Sequence, residues 1–165
     1  MIEIETERLT LKKLRLTDKE RLVSLIGDVR VSETLIEVPH PYTDEDAENW
    51  LNIVNSSEFK LSIFQNNVLI GGIGLTPEDD GYCELGYWLG FEYWGRGYAT
   101  ESCSALLNYV KTNTSYKNFK ATVNKGNTGS SKVLEKIGFR QIGEGEVFDL
   151  STQESVPCLK YEYCL

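Results

Sequence analysis

The chain carries a single histidine, His40, among its 165 residues. A metal centre built on imidazole would need a second one, and the four cysteines (Cys83, Cys103, Cys158, Cys164) show no C-x-x-C spacing or other zinc pattern. No metal site is expected. Long apolar runs are missing too: none approaches the ~20 residues of a membrane-spanning helix, so no membrane association is expected. The opening Met1-Ile2-Glu3-Ile4-Glu5 is acidic and lacks the basic-then-apolar order of a secretory signal. The expected compartment is the cytoplasm, where the cysteines would stay reduced and act as small, mostly buried apolar side chains. Basic residues are scarce, 17 Lys and Arg against 25 Asp and Glu, for a formal net charge of −8. That argues against nucleic acid as a partner, because phosphate binding needs clustered cations. The same charge suits a cationic substrate, although solubility alone accounts for it. Repeats, low-complexity tracts and Pro/Ser-rich linkers are also absent, so residues 1–165 are read as one domain.

What is present is a succession of alternating and helical patterns. Arg8 to Leu14 partly alternates and reads as a first strand. Thr17 and Asp18 open a helix with Leu22, Leu25 and Ile26 on one face. Asp28 to Tyr42 reads mostly as loop, ending in Pro39-His40-Pro41. Thr43-Asp44-Glu45-Asp46 resembles a capping box, with Asp in place of Glu, before a helix carrying Trp50, Leu51 and Val54. Phe59 to Phe64, a turn at Asn66-Asn67 and Val68 to Leu75 make a hairpin. Gly71-Gly72-Ile73-Gly74 in its second arm predicts a bulge or a close backbone approach. Tyr82 to Leu89 adds a third strand, and a helix runs from Gly97 through Leu106, Leu107 and Val110. A strand at Phe119 to Val123 leads to a helix that begins near Asn127 and stops at Gly138. Two strands joined around Ser151 to Glu154 complete the chain. The expected class is α+β, a mixed sheet with helices on both faces.

The segment Tyr93-Trp94-Gly95-Arg96-Gly97-Tyr98-Ala99-Thr100 follows a predicted strand and opens a predicted helix. Glycines let the backbone come close to a ligand, and the first amides of a helix, at the positive end of its dipole, form an anion site. Arg96 adds a guanidinium able to fork onto phosphate oxygens. No Gly-Lys-Ser/Thr follows, and the spacing is not G-x-G-x-x-G. Taken alone, Gly-x-Gly reads more readily as a tight connection needed for packing.

The stretch resembles the pyrophosphate-binding loop of the GNAT (Gcn5-related N-acetyltransferase) superfamily, whose pattern is Gln/Arg-x-x-Gly-x-Gly/Ala. Here Trp94 takes the first place, followed by Gly97 and Ala99. With Glu84-Leu85-Gly86-Tyr87-Trp88-Leu89 upstream, that substitution resembles the branch that acetylates the N-termini of ribosomal proteins. Thr6-Glu7-Arg8-Leu9-Thr10-Leu11 resembles the branch's opening strand. Asn127-x-x-Ser130-x-x-Val133-Leu134-Glu135-Lys136-Ile137-Gly138-Phe139 resembles its late helix. Three separated motifs in the right order span nearly the whole chain.

The resemblance implies a mostly antiparallel sheet of about six or seven strands, splayed in the middle. Acetyl-coenzyme A would be the cosubstrate. Its pantetheine arm would lie between the strand ending Tyr87-Trp88-Leu89 and the strand ending Val123, pairing with free backbone. Its phosphates would meet Trp94, Gly95, Arg96, Gly97, Tyr98, Ala99 and Thr100. Asn127 would contact it from the second side, a role compatible with a plain N-cap. The acid that many members carry as a tyrosine seven residues after this Asn falls here on Leu134, which cannot donate a proton. Ser130, on the same helical face, is the substitute, unless it only bonds the preceding turn or the cofactor. Glu84 is the candidate base, through a water, or else a solvated strand carboxylate. Val31 to Tyr42 and Ser151 to Pro157 would frame the acceptor. That acceptor is an amine: a protein N-terminus, or a small molecule such as a polyamine, amino acid or antibiotic. A coenzyme A-binding module without catalysis is a third reading. Monomer and homodimer both fit.

Overall fold

A computed structural model describes residues 1–36 and 38–163 of the chain, so Cys164 and one position of the segment 31–42 lie outside the described residues. Strands β1 (Ile4–Glu5) and β2 (Thr10–Lys12) precede helix α1 (Lys19–Gly27) and the single-turn α2 (Val29–Ser32). Helix α3 (Asp44–Ser56) leads into a meander of β3 (Lys60–Gln65), β4 (Val68–Pro77) and β5 (Tyr82–Leu89). Then come α4 (Tyr98–Asn113), β6 (Asn118–Asn124) and α5 (Thr128–Lys136), and the hairpin β7 (Phe139–Asp149) and β8 (Glu154–Tyr163). The eight strands form one sheet in the order β1-β2-β3-β4-β5-β6-β8-β7. Every neighbouring pair is antiparallel except β5–β6, which is parallel. The sheet has one strand more than alternation predicts, because the two-residue β1 is too short to show a period.

Local chemistry accounts for most boundaries. Asn66 and Asn67 both adopt positive φ (49° and 62°), as a two-residue hairpin turn between right-twisted strands requires. The Thr43 hydroxyl accepts from the Asp46 amide at 3.2 Å while Asp46 accepts from the Thr43 amide at 2.8 Å, closing the capping box of α3. Gly138, at φ 108°, ends α5 in the left-handed conformation. The start of α1 departs from expectation. A 3-10 turn over Leu16–Asp18 precedes it, with Thr17 inside the turn, because Asp18 folds back onto the Arg15 amide (3.1 Å) and guanidinium (2.8 Å). The segment after Asp28 holds α2, capped where Asp28 accepts from the Arg30 amide at 3.0 Å.

Two apolar layers flank the sheet. Leu85, Leu89, Leu106, Val110, Phe119 and Leu134 are buried on the side of α4 and α5. Leu22, Ile26, Val54, Phe64 and Trp88 are buried on the other side, where α1 packs on β4 and α3 on β3. Cys83, Cys103 and Cys158 are buried and free. Among the described residues no helix is long and apolar enough to cross a membrane, and no three His, Cys, Asp or Glu gather as a metal-binding group.

The glycine run of β4 is both bulged and closely approached. Register shifts between Ile63↔Gly71 and Phe64↔Leu69, leaving Ile70 as the extra residue. A Cβ on Gly71 would lie inside van der Waals contact of the Trp88 carbonyl oxygen, and one on Gly72 would meet Trp88 Nε1 at 2.5 Å. Gly143 on β7 has nothing within 4 Å of the same position. Gly71→Ala should therefore cost about 1–3 kcal/mol in urea denaturation. Gly143→Ala should stay within about 0.5 kcal/mol of wild type. Equal effects of the two would contradict the packing described.

Candidate active site

Strands β5 and β6 pair over three positions, Tyr82↔Asn118, Cys83↔Phe119 and Glu84↔Lys120. Beyond Glu84 each follows its other neighbour: β5 stays on β4 as far as Leu89, and β6 stays on β8 as far as Asn124. A gap opens between them. The Tyr82 carbonyl accepts from Glu78 at 2.8 Å and the Gly90 amide donates to Ile70 at 2.9 Å, so the even-numbered residues aim their backbone groups at β4. By alternation Leu85, Tyr87 and Leu89 aim theirs at the gap. The Leu89 carbonyl is taken by the Trp94 indole N–H at 2.9 Å, which ties the following loop to the strand end.

Trp88 does not join this group. Its backbone faces β4, and its indole lies over Gly72, nine-tenths buried in the layer shared with α1 and α3. Its Nε1 has no hydrogen-bond partner among the described residues.

The loop places Gly95 at φ 70° and Gly97 at φ 81°, conformations that a side chain strains. Gly97 is the N-cap of α4 and brings no capping side chain, so the first amides of the helix, at Tyr98, Ala99 and Thr100, face outward without one. Arg96 is exposed beside them. The Tyr98 side chain is turned inward: it is buried and accepts from Gln65 Nε2 at 2.5 Å, leaving its amide alone to meet a ligand.

Across the gap, Asn127 caps α5, its Oδ1 accepting from the Ser130 amide at 3.1 Å. Its side-chain NH2 points to no partner among the described residues. Ser130 is half-buried, and its carbonyl accepts from the Tyr87 hydroxyl at 3.3 Å. Burial pushes the Tyr87 phenol well above its ordinary pKa, only partly offset by the Ser130 side chain, so the hydroxyl stays protonated and donates. This link joins residues 43 apart, and no local pattern announces it. Leu134 faces the core at 1% exposure.

Glu84 sits at the last paired position, half-buried; its carboxylate makes no hydrogen bond or ion pair to another described residue, and its charge is felt by its register partner Lys120. It shares a sheet face with Gly86 and Trp88, opposite Tyr87. Glu84 and Ser130 therefore flank the gap from opposite faces. Gly86 is exposed, and a Cβ there would meet nothing within 4 Å, so the face beside Glu84 is open. The turn after β7 touches the segment before α3 directly, the Leu150 amide donating to the Ile36 carbonyl at 2.9 Å.

A family model described as an acetyltransferase (GNAT) domain matches residues 8–140. The chain is 29% identical over 153 residues to the uncharacterized N-acetyltransferase p20 of Bacillus licheniformis, covering 87% of this chain and 85% of that protein. A solved GNAT-family acetyltransferase from Bacillus anthracis superposes with a TM-score of 0.85 at 27% identity, over 98% of this chain and 97% of its own. RimL, a ribosomal L7/L12 alpha-N-protein acetyltransferase solved with coenzyme A, superposes with a TM-score of 0.83 over 99% and 98% of the two chains. At 16% identity that last likeness speaks for the fold alone.

One carboxylate beside the loop has a distinctive titration. Burial raises the Glu101 carboxyl, but hydrogen bonds from Thr6, the Arg8 amide and the Arg8 guanidinium outweigh it and hold it below its ordinary value. A depressed folded value adds stability that is complete above the unfolded carboxylate pKa of about 4.3 and is lost as pH falls through the folded value. Glu101→Gln should therefore destabilise the protein more at about pH 7 than at about pH 3.5 in urea denaturation. A difference from wild type that stays constant between those pH values would contradict the ion pair's role.

Proposed function

The chain belongs to the GNAT family of N-acetyltransferases, and from that premise we propose that it moves the acetyl group of acetyl-coenzyme A directly to a primary amine within a ternary complex. The observation that supports it is the juxtaposition of three things at one place. These are the gap with free β5 backbone, the glycine loop with uncapped α4 amides, and the N-terminus of α5. An extended arm bearing amides and ending in phosphates fits that set. Leu85 and Tyr87 can pair with it as a strand would, while Arg96 and the α4 amides receive the anion.

Bound acetyl-coenzyme A supplies an acyl group activated as a thioester. The incoming amine must be neutral, whereas a lysine-like amine has a pKa of about 10.4 and a peptide N-terminus about 8. Glu84 is the base that takes its proton, through a water on the open face beside Gly86. Backbone N–H groups of the odd-numbered β5 residues stabilise the developing oxyanion. Ser130, on the far face, relays to the departing thiolate, whose thiol pKa is about 8.5, the proton that the attacking nitrogen sheds as the amide forms, so the hydroxyl is restored. Asn127 and Tyr87 hold Ser130 from its amide and carbonyl sides. The acceptor is a protein N-terminus entering along the face of Glu84. The ribosomal-protein branch that the sequence resembles supports this, as does the linked pair of segments around Ile36 and Leu150, which can frame an extended peptide.

Thermal-shift titration tests the cofactor. A ligand at about 100 times its Kd should stabilise the fold by ~2.7 kcal/mol, so acetyl-coenzyme A and coenzyme A should both raise Tm while ATP does not. No shift with either would refute the reading. Glu84→Gln and Ser130→Ala should each lower kcat by roughly 10²–10⁴-fold with coenzyme A affinity unchanged. Wild-type turnover in both variants would remove these residues from the chemistry.

A further inference from the structure

The segment between β1 and β2 is bound to the glycine loop far more closely than fold continuity requires. Thr6 Oγ1 donates to Glu101 Oε1 at 2.7 Å, the Arg8 amide to the same oxygen at 2.8 Å, and Arg8 Nε to Glu101 Oε2 at 2.7 Å. Both carboxylate oxygens in the first turn of α4 are thus engaged from more than 90 residues away. The guanidinium then extends past Glu101. Its Nη1 donates to the Arg96 carbonyl at 2.8 Å, its Cζ lies 4.5 Å over the Tyr98 ring, and its Nη2 is 3.2 Å from where a Gly97 Cβ would stand.

A cation is unfavourable at the positive end of a helix unless something offsets it. Glu101 does so here, which leaves the geometric consequence as the arrangement's distinctive feature. The Arg96–Gly97 peptide is planar and trans, so its N–H points opposite to its C=O. Drawing the Arg96 carbonyl onto Arg8 therefore turns the Gly97 amide away from the Arg8 guanidinium. Both loop glycines have positive φ, a region that glycine enters and leaves freely, so without an anchor this peptide has little to hold it.

We propose that Arg8 is a positioning residue for the anion loop, holding the Gly97 amide toward the diphosphate of a coenzyme A-type ligand, with Thr6 and Glu101 fixing Arg8 in turn. The inference rests on the acetyl-coenzyme A reading above. The opening strand motif is then part of the cofactor site, although Arg8 itself binds no part of the substrate. The arrangement acts through preorganisation, so its loss should weaken nucleotide binding and leave the acyl-transfer step alone.

Isothermal calorimetry with coenzyme A on wild type, Arg8→Met and Arg8→Lys is the test, each variant first shown to be folded by circular dichroism. Arg8→Met keeps an apolar stem over Tyr98 but loses the fork. Arg8→Lys keeps the charge but cannot reach Glu101 and the Arg96 carbonyl together. Both should raise the Kd for coenzyme A and the KM for acetyl-coenzyme A by roughly tenfold, with kcat and the acceptor KM unchanged. Affinity equal to wild type in Arg8→Met would overturn the positioning role while leaving the cofactor reading intact. Full rescue by Arg8→Lys would overturn it in favour of charge alone. A fall in kcat with unchanged KM would also overturn it. Absence of coenzyme A binding by wild type would bring down the cofactor reading itself, and this inference with it.

Discussion

Only three residue pairs hold β5 to β6, and the rest of the site follows from where that pairing stops. Each strand is secured on its outer side, β5 by β4 and β6 by β8, so the two can part without either losing a full ladder. The cost is a row of backbone groups at Leu85, Tyr87 and Leu89 that face no strand. A sheet interrupted in its middle exposes N–H and C=O groups that elsewhere are always paired, and these are suited to an extended ligand. The parallel sense of this one pair matters as well. A parallel connection needs a crossover, and α4 supplies it, so the N-termini of both α4 and α5 follow directly on the ends of the diverging strands. Ligands of open sheets bind beyond the carboxyl ends of strands for the same reason.

Charge is distributed to match. The chain is acidic overall, at −8, yet Arg8, Arg96 and the positive end of α4 meet at one point. Glu101 is the carboxylate drawn into that cluster, and its oxygens are committed to Thr6 and Arg8. On the other face of the gap the Glu84 carboxylate makes no hydrogen bond or ion pair among the described residues, and the neighbouring Lys120, which feels its charge, is paired to Asp80. The two charge environments are separated by the sheet itself, one suited to phosphate and the other to an ammonium group.

What could be read from the sequence was the part encoded within a few residues. The Asn66-Asn67 turn, the Thr43–Asp46 box, the stop at Gly138 and the loop from Gly95 each depend on a local conformational preference, and each appears where the pattern placed it. Alternation likewise put Glu84, Gly86 and Trp88 on one face. It could not say which edge of the strand each backbone group faces, because that depends on the hydrogen-bond register with β4. The resemblance sets Trp88 beside Tyr87 and Leu89, and the register with β4 separates its backbone from theirs. Two-residue β1 and single-turn α2 are too short for any period to register. The contacts of Tyr87 with Ser130 and of Arg8 with Glu101 join distant segments, and only the folded chain brings them together.

The late helix shows how one stripe serves two purposes. Asn127, Ser130 and Leu134 lie on a common face by helical spacing, which suggests a shared environment. A helix that starts at the rim of a gap and descends into a core changes surroundings along its own axis. Its first turn, at Asn127 and Ser130, is capped and half-exposed at the gap, while Leu134 one turn further on is 1% exposed and packs with Leu106 and Phe119. A phenol at that depth would need a polar partner inside an apolar layer, at a cost of about 1–3 kcal/mol if it found none. The leucine avoids that cost. The phenol the site does contain rises instead from β5, where Tyr87 reaches the Ser130 carbonyl from the sheet side. The polar groups of α5 at the gap are thereby confined to its first turn, and the helix packs against α4 and β7.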